Sequence, residues 1–238
     1  MSSLSKLEPI AVKPNLPVSL TPPLRARRMN LLECLVAIAL CVLLLNPLLK
    51  TSADLFVKQI AYEKTQALTT EAERALELIG RALRMAGYQN IKSTQQKIDQ
   101  KNSNLVIEIQ KRSGYQGSDS LVIRHQLSDS VDFDCIGNVL TSDRTKNNLA
   151  LQGFLVDRQA SLPKGAKTNG GSLLCQSLDR QGRIQNTTLM NGINSFRVEE
   201  LGSHSSLGQR AFKIKLQMTD GASIQKDFER IFTTRNLP

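Results

Sequence analysis

The sequence predicts an α+β protein in which a long N-terminal helix packs on an antiparallel β-sheet, and three observations support this fold class. An apolar run near the N-terminus is long enough to cross a membrane. Residues 50–87 repeat with a helical period, and residues 88–238 contain segments that alternate with a period of two. The chain has 238 residues, enough for one ordinary core with long appendages.

Composition narrows the classes of function. Lys and Arg number 31 against 21 Asp and Glu, so the formal net charge is +10. Tryptophan is absent and aromatic residues make up 4%, which argues against a surface that stacks sugars or bases. The 2 histidines and 4 cysteines leave little material for a metal site. Composition therefore disfavours a metalloenzyme, and we expect no bound metal or cofactor. The absence of known catalytic motifs adds the expectation that the chain is not an enzyme.

Residues 1–28 are predicted to form a disordered, basic leader. Five of the 8 prolines lie here, and the segment carries +4 of the net charge of +10. Closely spaced prolines leave no room for a helix, because each one removes a backbone donor and fixes φ.

Residues 29–49 are predicted to form the transmembrane half of the long helix. The apolar run begins at Leu31, continues through Leu35 and ends at Leu49, and only Glu33 and one Asn-Pro pair interrupt it. A helix rises 1.5 Å per residue, so this run spans about 28 Å, close to a hydrocarbon core of about 30 Å. Positive charge before the run predicts a cytoplasmic N-terminus.

Two other interpretations of the apolar run compete with a membrane anchor. A buried core helix is disfavoured because the stretch from Cys34 to Leu45 has no polar face. A signal peptide would be cut near Ala53, after a group of small residues, and would give a secreted protein. Glu33 argues against this second interpretation. A carboxylate in lipid costs on the order of 2.5–3.5 kcal/mol and therefore needs a partner or a role.

Residues 50–87 are predicted to continue the helix as an amphipathic half. The apolar stripe, at alternating steps of four and three residues, consists of Leu68, Ala72, Ala75, Ile79, Ala82 and Ala86, widened by Leu76 and Leu83. Gly87 follows as a stop signal. The spacing of Thr70 and Glu73 also fits a capping box that would start a second helix, but we favour one helix from about Leu31 to Ala86.

Residues 88–238 are predicted to form a β-rich domain. Six segments read as strands: 105–109, 120–124, 172–175, 195–199, 211–216 and 228–232. Several of them alternate apolar and polar residues, which is typical of antiparallel strands with one buried face. Packing that face on the second half of the helix buries both apolar surfaces.

The stretch from Met29 to Ala39, MNLLECLVAIA, follows a basic leader and resembles the N-terminal motif of type IV pilins and type II secretion pseudopilins. In that family a prepilin peptidase cuts on the cytoplasmic side and the new N-terminal residue is methylated. A glutamate five residues into the mature chain heads the apolar helix. Aligning Glu33 with that glutamate places the cut after Arg28 and makes Met29 the first mature residue. The family has glycine where this chain has Arg28, so an unusual peptidase, an uncleaved chain and a misplaced motif all stay open.

The segment from Ile79 to Tyr88, IGRALRMAGY, is similar to the end of the long helix in minor pilins of the PilW type, with the GspJ-type minor pseudopilins of type II secretion as the close rival. The resemblance implies a pilin-like fold and a role in a complex that primes or caps a type IV pilus. It implies an inner-membrane anchor and a periplasmic domain. The implied partners are minor and major pilins, the assembly platform and the prepilin peptidase.

The same resemblance implies that Glu33 pairs with the terminal amine of a neighbouring subunit and so sets axial register. A membrane-anchored periplasmic binding module outside any filament is the alternative from another class. Such a module would tolerate the loss of Glu33.

Cys135 and Cys175 lie in the predicted periplasmic domain, an oxidising compartment, and PilW-type proteins also carry two cysteines there. A disulfide between them is expected, and two buried free thiols are the alternative. Cys34 and Cys41 are interpreted as apolar filler within the membrane.

The sequence lacks the common nucleotide, zinc-protease and hydrolase motifs. Asp119, Asp132 and Asp134 form a local acidic group, expected to be solvated turn residues. Several basic residues near the C-terminus would suit nucleic-acid phosphates, but an ordinary solvated sheet face is the favoured interpretation. These basic residues are Lys213, Lys215, Lys226, Arg230 and Arg235.

Overall fold

A computed structural model describes residues 30–90, 106–160, 170–202 and 209–236. These residues form one long helix and an antiparallel sheet, as the α+β prediction requires. The helix α1 spans Leu31–Met85, and the strands are β1 (Ile107–Gln110), β2 (Ser120–His125), β3 (Ala150–Arg158), β4 (Gly171–Leu178), β5 (Ile184–Leu201), β6 (Ala211–Thr219) and β7 (Gln225–Thr233). Short 3₁₀ turns lie at Tyr115–Gly117 and Ser142–Arg144. Two compact units divide the chain between Leu55 and Phe56.

The first unit contributes the beginning of α1, where every helical residue up to Leu55 is exposed. By length and composition α1 is able to cross a membrane, a test that a signal sequence near the N-terminus also passes. Pro47 lies inside the helix, where its ring removes one backbone donor. The Thr51 hydroxyl donates to the carbonyls of Pro47 and Leu48, at 3.1 and 3.0 Å. These bonds satisfy the hydroxyl within its own helix, as an apolar environment requires.

In the second unit α1 packs on the sheet through the stripe that the sequence predicts. The buried residues of the stripe are Leu68, Ala72, Ala75, Leu76, Ile79, Ala82 and Leu83 of the helix and Ala86, which directly follows it. They share one core with Phe154, Phe196 and Phe212 of the strands. The Thr70 hydroxyl donates to the Gln66 carbonyl at 3.0 Å within the helix, so no second helix starts at Thr70.

The seven strands follow one another in chain order, and every neighbouring pair is antiparallel. β5 is the exception in length, since it has 18 residues and changes partner along its course. Its first half pairs with β4 and its second half pairs with β6, and register shifts mark the change. The sheet is therefore stepped at β5.

Two strand predictions fell short. β3 was not among the predicted strands, because Gln152 and Gly153 interrupt its apolar pattern. Gln152 is nevertheless buried, and a Cβ at Gly153 would lie 2.6 Å from the Gln176 side chain, so the strand is packed on both faces. The predicted strand at 195–199 is the second half of β5 alone. The predicted loop at 91–104 lies outside the described residues, and the division of the chain into four segments stays a prediction.

Candidate assembly surface

Glu33 forms part of the N-terminal cap of α1. The backbone N–H groups of Glu33 and Cys34 donate to the Asn30 carbonyl, at 2.9 and 3.2 Å, which makes Asn30 the N-cap residue. In return the Asn30 N–H donates to Glu33 Oε2 at 3.1 Å. This is the carboxylate half of a capping box, and it holds Glu33 against the first turn. The other oxygen, Oε1, has no partner among the described residues.

The helix α1 is exposed from Leu31 to Lys64. In the first unit, residues 31–49 are apolar apart from Glu33 and Asn46, and they span about 28 Å of helix. In the second unit α1 stays exposed from Phe56 to Lys64, where charged residues such as Lys58 and Glu63 separate the apolar ones. Leu31, Leu35 and Leu49, predicted to lie in the membrane, are 76%, 60% and 68% exposed. Large apolar side chains continue beyond the predicted crossing, at Leu55, Phe56, Val57, Ile60 and Tyr62. A bilayer core of about 30 Å accommodates about 20 helical residues, so lipid would cover residues 31–49 but not the exposed apolar side chains after them.

Cys135 and Cys175 form a disulfide, with their Cα atoms 6.0 Å apart. The bond fastens the loop after β2 to β4, and both cysteines are buried in the core. Cys34 and Cys41 are exposed free cysteines of α1.

The expected cluster of solvated aspartates is wrong in two of its three members. Asp119 is 1% exposed and accepts hydrogen bonds from the backbone N–H groups of Arg112 and Val198, at 3.0 and 2.9 Å. Asp134 is 5% exposed and accepts from the N–H groups of its own turn. Each buried carboxylate is paired with backbone donors, which is how a buried charge is tolerated. Among the described residues no group of His, Cys, Asp and Glu is arranged to hold a metal ion.

The basic residues near the C-terminus do not share one face. Lys213 and Lys215 lie opposite Ile231 and Glu229 in the β6–β7 register, whereas Lys226 and Arg230 lie opposite the buried Met218 and Ile214. Successive strand residues point to opposite faces, so the two pairs are on different sides of the sheet.

Carboxylates neutralise Lys213 and Lys215. Lys215 Nζ lies 3.1 Å from Glu199, and Lys213 Nζ lies 2.9 Å from Glu229. The hydrogen bond from Lys215 lowers the pKa of Glu199, and the hydrogen bond to Glu229 raises the pKa of Lys213. This face is a ladder of ion pairs across three strands, as expected of an ordinary solvated sheet surface.

Arg28 and Met29, at the predicted processing point, lie outside the described residues, as does His204. His125 is a buried structural residue, with Nδ1 3.0 Å from the Gln126 carbonyl. Burial lowers the pKa of His125.

The sequence analysis did not predict the cap between Asn30 and Glu33, although the spacing Asn-x-x-Glu before an apolar run indicates it.

No protein-family model, no curated protein and no solved structure matches this chain.

Proposed function

We propose that this chain is a minor pilin of the PilW type, which takes part in type IV pilus assembly through packing of its long helix and contacts of its periplasmic domain. Residues 29–49 anchor it in the bacterial inner membrane, with the N-terminus in the cytoplasm. The observation that carries the proposal is the exposed apolar run of residues 31–49, which has Glu33 in its first turn. An isolated anchor needs about 20 apolar residues and no intramembrane acid.

Helix-to-helix packing explains the surplus of exposed apolar surface. The large apolar side chains of residues 56–62 are 53–68% exposed, and neighbouring subunits would cover them as they assemble side by side. They are Phe56, Val57, Ile60 and Tyr62. The arrangement of one long helix and an antiparallel sheet, with the helix packed on the sheet in the second unit, supports this proposal. A minor pseudopilin of type II secretion has the same requirements, and the observed surface does not favour it over a minor pilin.

The role of Glu33 is tested by two substitutions with different chemistry. Glu33→Gln keeps an oxygen that accepts from the Asn30 N–H, so the cap survives and only the charge is lost. Glu33→Ala removes both the cap and the charge. If the carboxylate pairs with a neighbour's ammonium, both variants lose at least tenfold in co-assembly.

The measurement is the amount of full-length chain that co-isolates with the other pilus subunits, relative to the amount in the membrane fraction. Membrane insertion of both variants serves as the control. Normal co-assembly of Glu33→Gln would show that Glu33 acts only as a helix cap and would refute the proposed pairing.

N-terminal sequencing of the mature protein tests the processing step. A start at Met29 supports cleavage after Arg28. A start at Met1 indicates an uncleaved anchor, and a start near Asp54 indicates a secreted protein and contradicts the proposed function.

A further inference from the structure

The first half of β5 has a free edge. β4 pairs with β5 from Ile184 to Ile193, whereas β6 pairs with β5 only from Ile193 to Leu201. Over Ile184–Thr188 the strand is regular and has a partner on one side alone among the described residues. We call this segment the β5 edge.

The ladder with β4 shows which backbone groups point outward. At the β4–β5 turn the Asp179 N–H donates to the Arg183 carbonyl at 2.9 Å. Antiparallel strands alternate strictly between residues bonded to the partner and residues facing away. Gln185 and Thr187 therefore bond β4, and the N–H and C=O groups of Ile184, Asn186 and Thr188 face the free side.

Two other edges of the sheet, at the second half of β5 and at β7, are satisfied or guarded. In the part of the chain that the structure describes, the second half of β5 has no strand on the side away from β6, but the Asp119 N–H donates to the Phe196 carbonyl at 2.8 Å, and Asp119 Oδ2 accepts from the Val198 N–H. The outer strand β7 carries charged residues at Lys226, Asp227, Glu229 and Arg230. Charges of this kind discourage pairing with other chains.

The β5 edge has neither a hydrogen-bonding loop beside it, among the described residues, nor charged residues of its own. From Ile184 to Gly192 β5 contains no charged residue, and Ile184 is 61% exposed. A regular, uncharged and unpaired strand edge is a template for another strand. Its open backbone groups can be satisfied as a set only by an extended chain.

We propose that the β5 edge binds an extended, uncharged segment of a different pilin-like subunit by strand addition. The added strand occupies the step in the sheet, in line with β6, and alternates its backbone bonds with Ile184, Asn186 and Thr188. A large apolar side chain beside Ile184 would cover that exposed residue. This inference rests on the proposed function, because it requires the chain to assemble with other subunits.

A symmetric pair of copies does not fit the β5 edge. In the second unit Lys64 of α1 lies 3.6 Å from Asp220 at the start of β7, and Asn236 after β7 donates to the carbonyl of Arg84. β7 therefore runs in the same direction as α1, and β5 is parallel to β7 because β6 is antiparallel to both. Two copies joined at the same edge are related by a two-fold axis, which reverses the strands and the helices. In a head-to-tail assembly every copy has the same orientation, so the second-unit helices of all copies are parallel.

A proline substitution tests the proposal without removing the ladder to β4. Asn186→Pro removes an N–H that faces the free edge, a position at which strands tolerate proline. We expect the melting temperature of the full-length chain to stay within a few degrees of the parent and co-assembly to fall at least tenfold. Gln185→Pro is the matched control. It removes an N–H bonded to β4 and should lower the melting temperature markedly. Normal co-assembly of Asn186→Pro would overturn the inference.

Hydrogen exchange gives an independent measurement on the unmodified chain. The amides of Asn186 and Thr188 should exchange rapidly in the purified full-length chain and at least tenfold more slowly in the isolated assembly. Protection already present in the purified chain would mean that a copy or another part of the same chain covers the edge, and this would overturn the inference.

The two proposals fail in different ways. If the assembly forms and depends on Glu33, but Asn186 and Thr188 stay unprotected in it, the strand-addition inference is wrong and the proposed function stands. If the chain enters no assembly at all, both are wrong.

Discussion

Replacing Gly80 with alanine sets two opposing effects against each other at the contact between α1 and β7. A methyl group at this position would lie 2.3 Å from Cε1 and 2.7 Å from Cδ1 of Phe232. Carbon atoms in van der Waals contact are about 3.5–4.0 Å apart, so the ring or the strand must move by about 1 Å. Phe232 is 8% exposed and lies in the core, which restricts that movement.

The overlap should outweigh the gain in helix propensity. Alanine favours a helix over glycine by about 1 kcal/mol, whereas inserting a methyl group into a packed core costs typically about 1–3 kcal/mol. We therefore expect Gly80→Ala to reduce the free energy of unfolding by about 1 kcal/mol. For a domain of this size that corresponds to a fall of about 2–4 °C in melting temperature.

Thermal unfolding of the full-length chain in detergent provides the measurement, and a double-mutant cycle provides the control. In a Phe232→Leu background the alanine methyl has more room, so Gly80→Ala should be neutral or stabilising there. A coupling energy near zero between the two substitutions, or a rise in melting temperature for Gly80→Ala alone, would refute the close contact of helix and strand.

Two further predictions concern the core of the second unit. Replacing Cys135 and Cys175 together with serine opens a loop of 40 residues and should reduce the free energy of unfolding by about 4 kcal/mol, whereas Cys34→Ser should not change it, as denaturant titration would show. His125 is kept neutral by burial, so its pKa in the fold lies below its ordinary value of 6.5 and the unfolded chain binds the extra proton. Stability should therefore fall as the pH drops below about 6.5, by at most about 1.4 kcal/mol per pH unit, and a melting temperature that is equally pH-dependent in His125→Gln would contradict this assignment.

The helix and its buried stripe could be read from the sequence because both are periodic and local. The apolar residues from Leu68 to Ala86 recur at helical spacing, and no long-range information is needed to identify the face that packs. The strands of the sheet were harder to predict from the sequence. β3 breaks the alternating pattern at Gln152 and Gly153, and a buried polar residue becomes interpretable only when its partner, the Phe133 carbonyl, is known.

The burial of Asp119 and the free edge of β5 could not be predicted for a related reason. The partners of Asp119 include Val198, which is 79 residues away in the sequence. Nothing near Asp119 in the sequence indicates this contact, so the local pattern favoured a solvated turn. The β5 edge depends on where β6 begins to pair, at Ile193, and pairing registers are set by the whole sheet. Local patterns predict elements, but they do not predict which edges of those elements stay open.

The cap at the start of α1 changes how the role of Glu33 should be understood. A carboxylate that only awaited a neighbour's ammonium would enter the bilayer unsatisfied and carry the full cost of a charge in lipid. The Asn30 N–H already supplies one donor, at 3.1 Å from Oε2, which reduces that cost before any partner arrives. Oε1 is then the oxygen on which a neighbour would act. Under the proposed function, capping and pairing are consecutive uses of one carboxylate, and Glu33→Gln separates them because it preserves the first and abolishes the second.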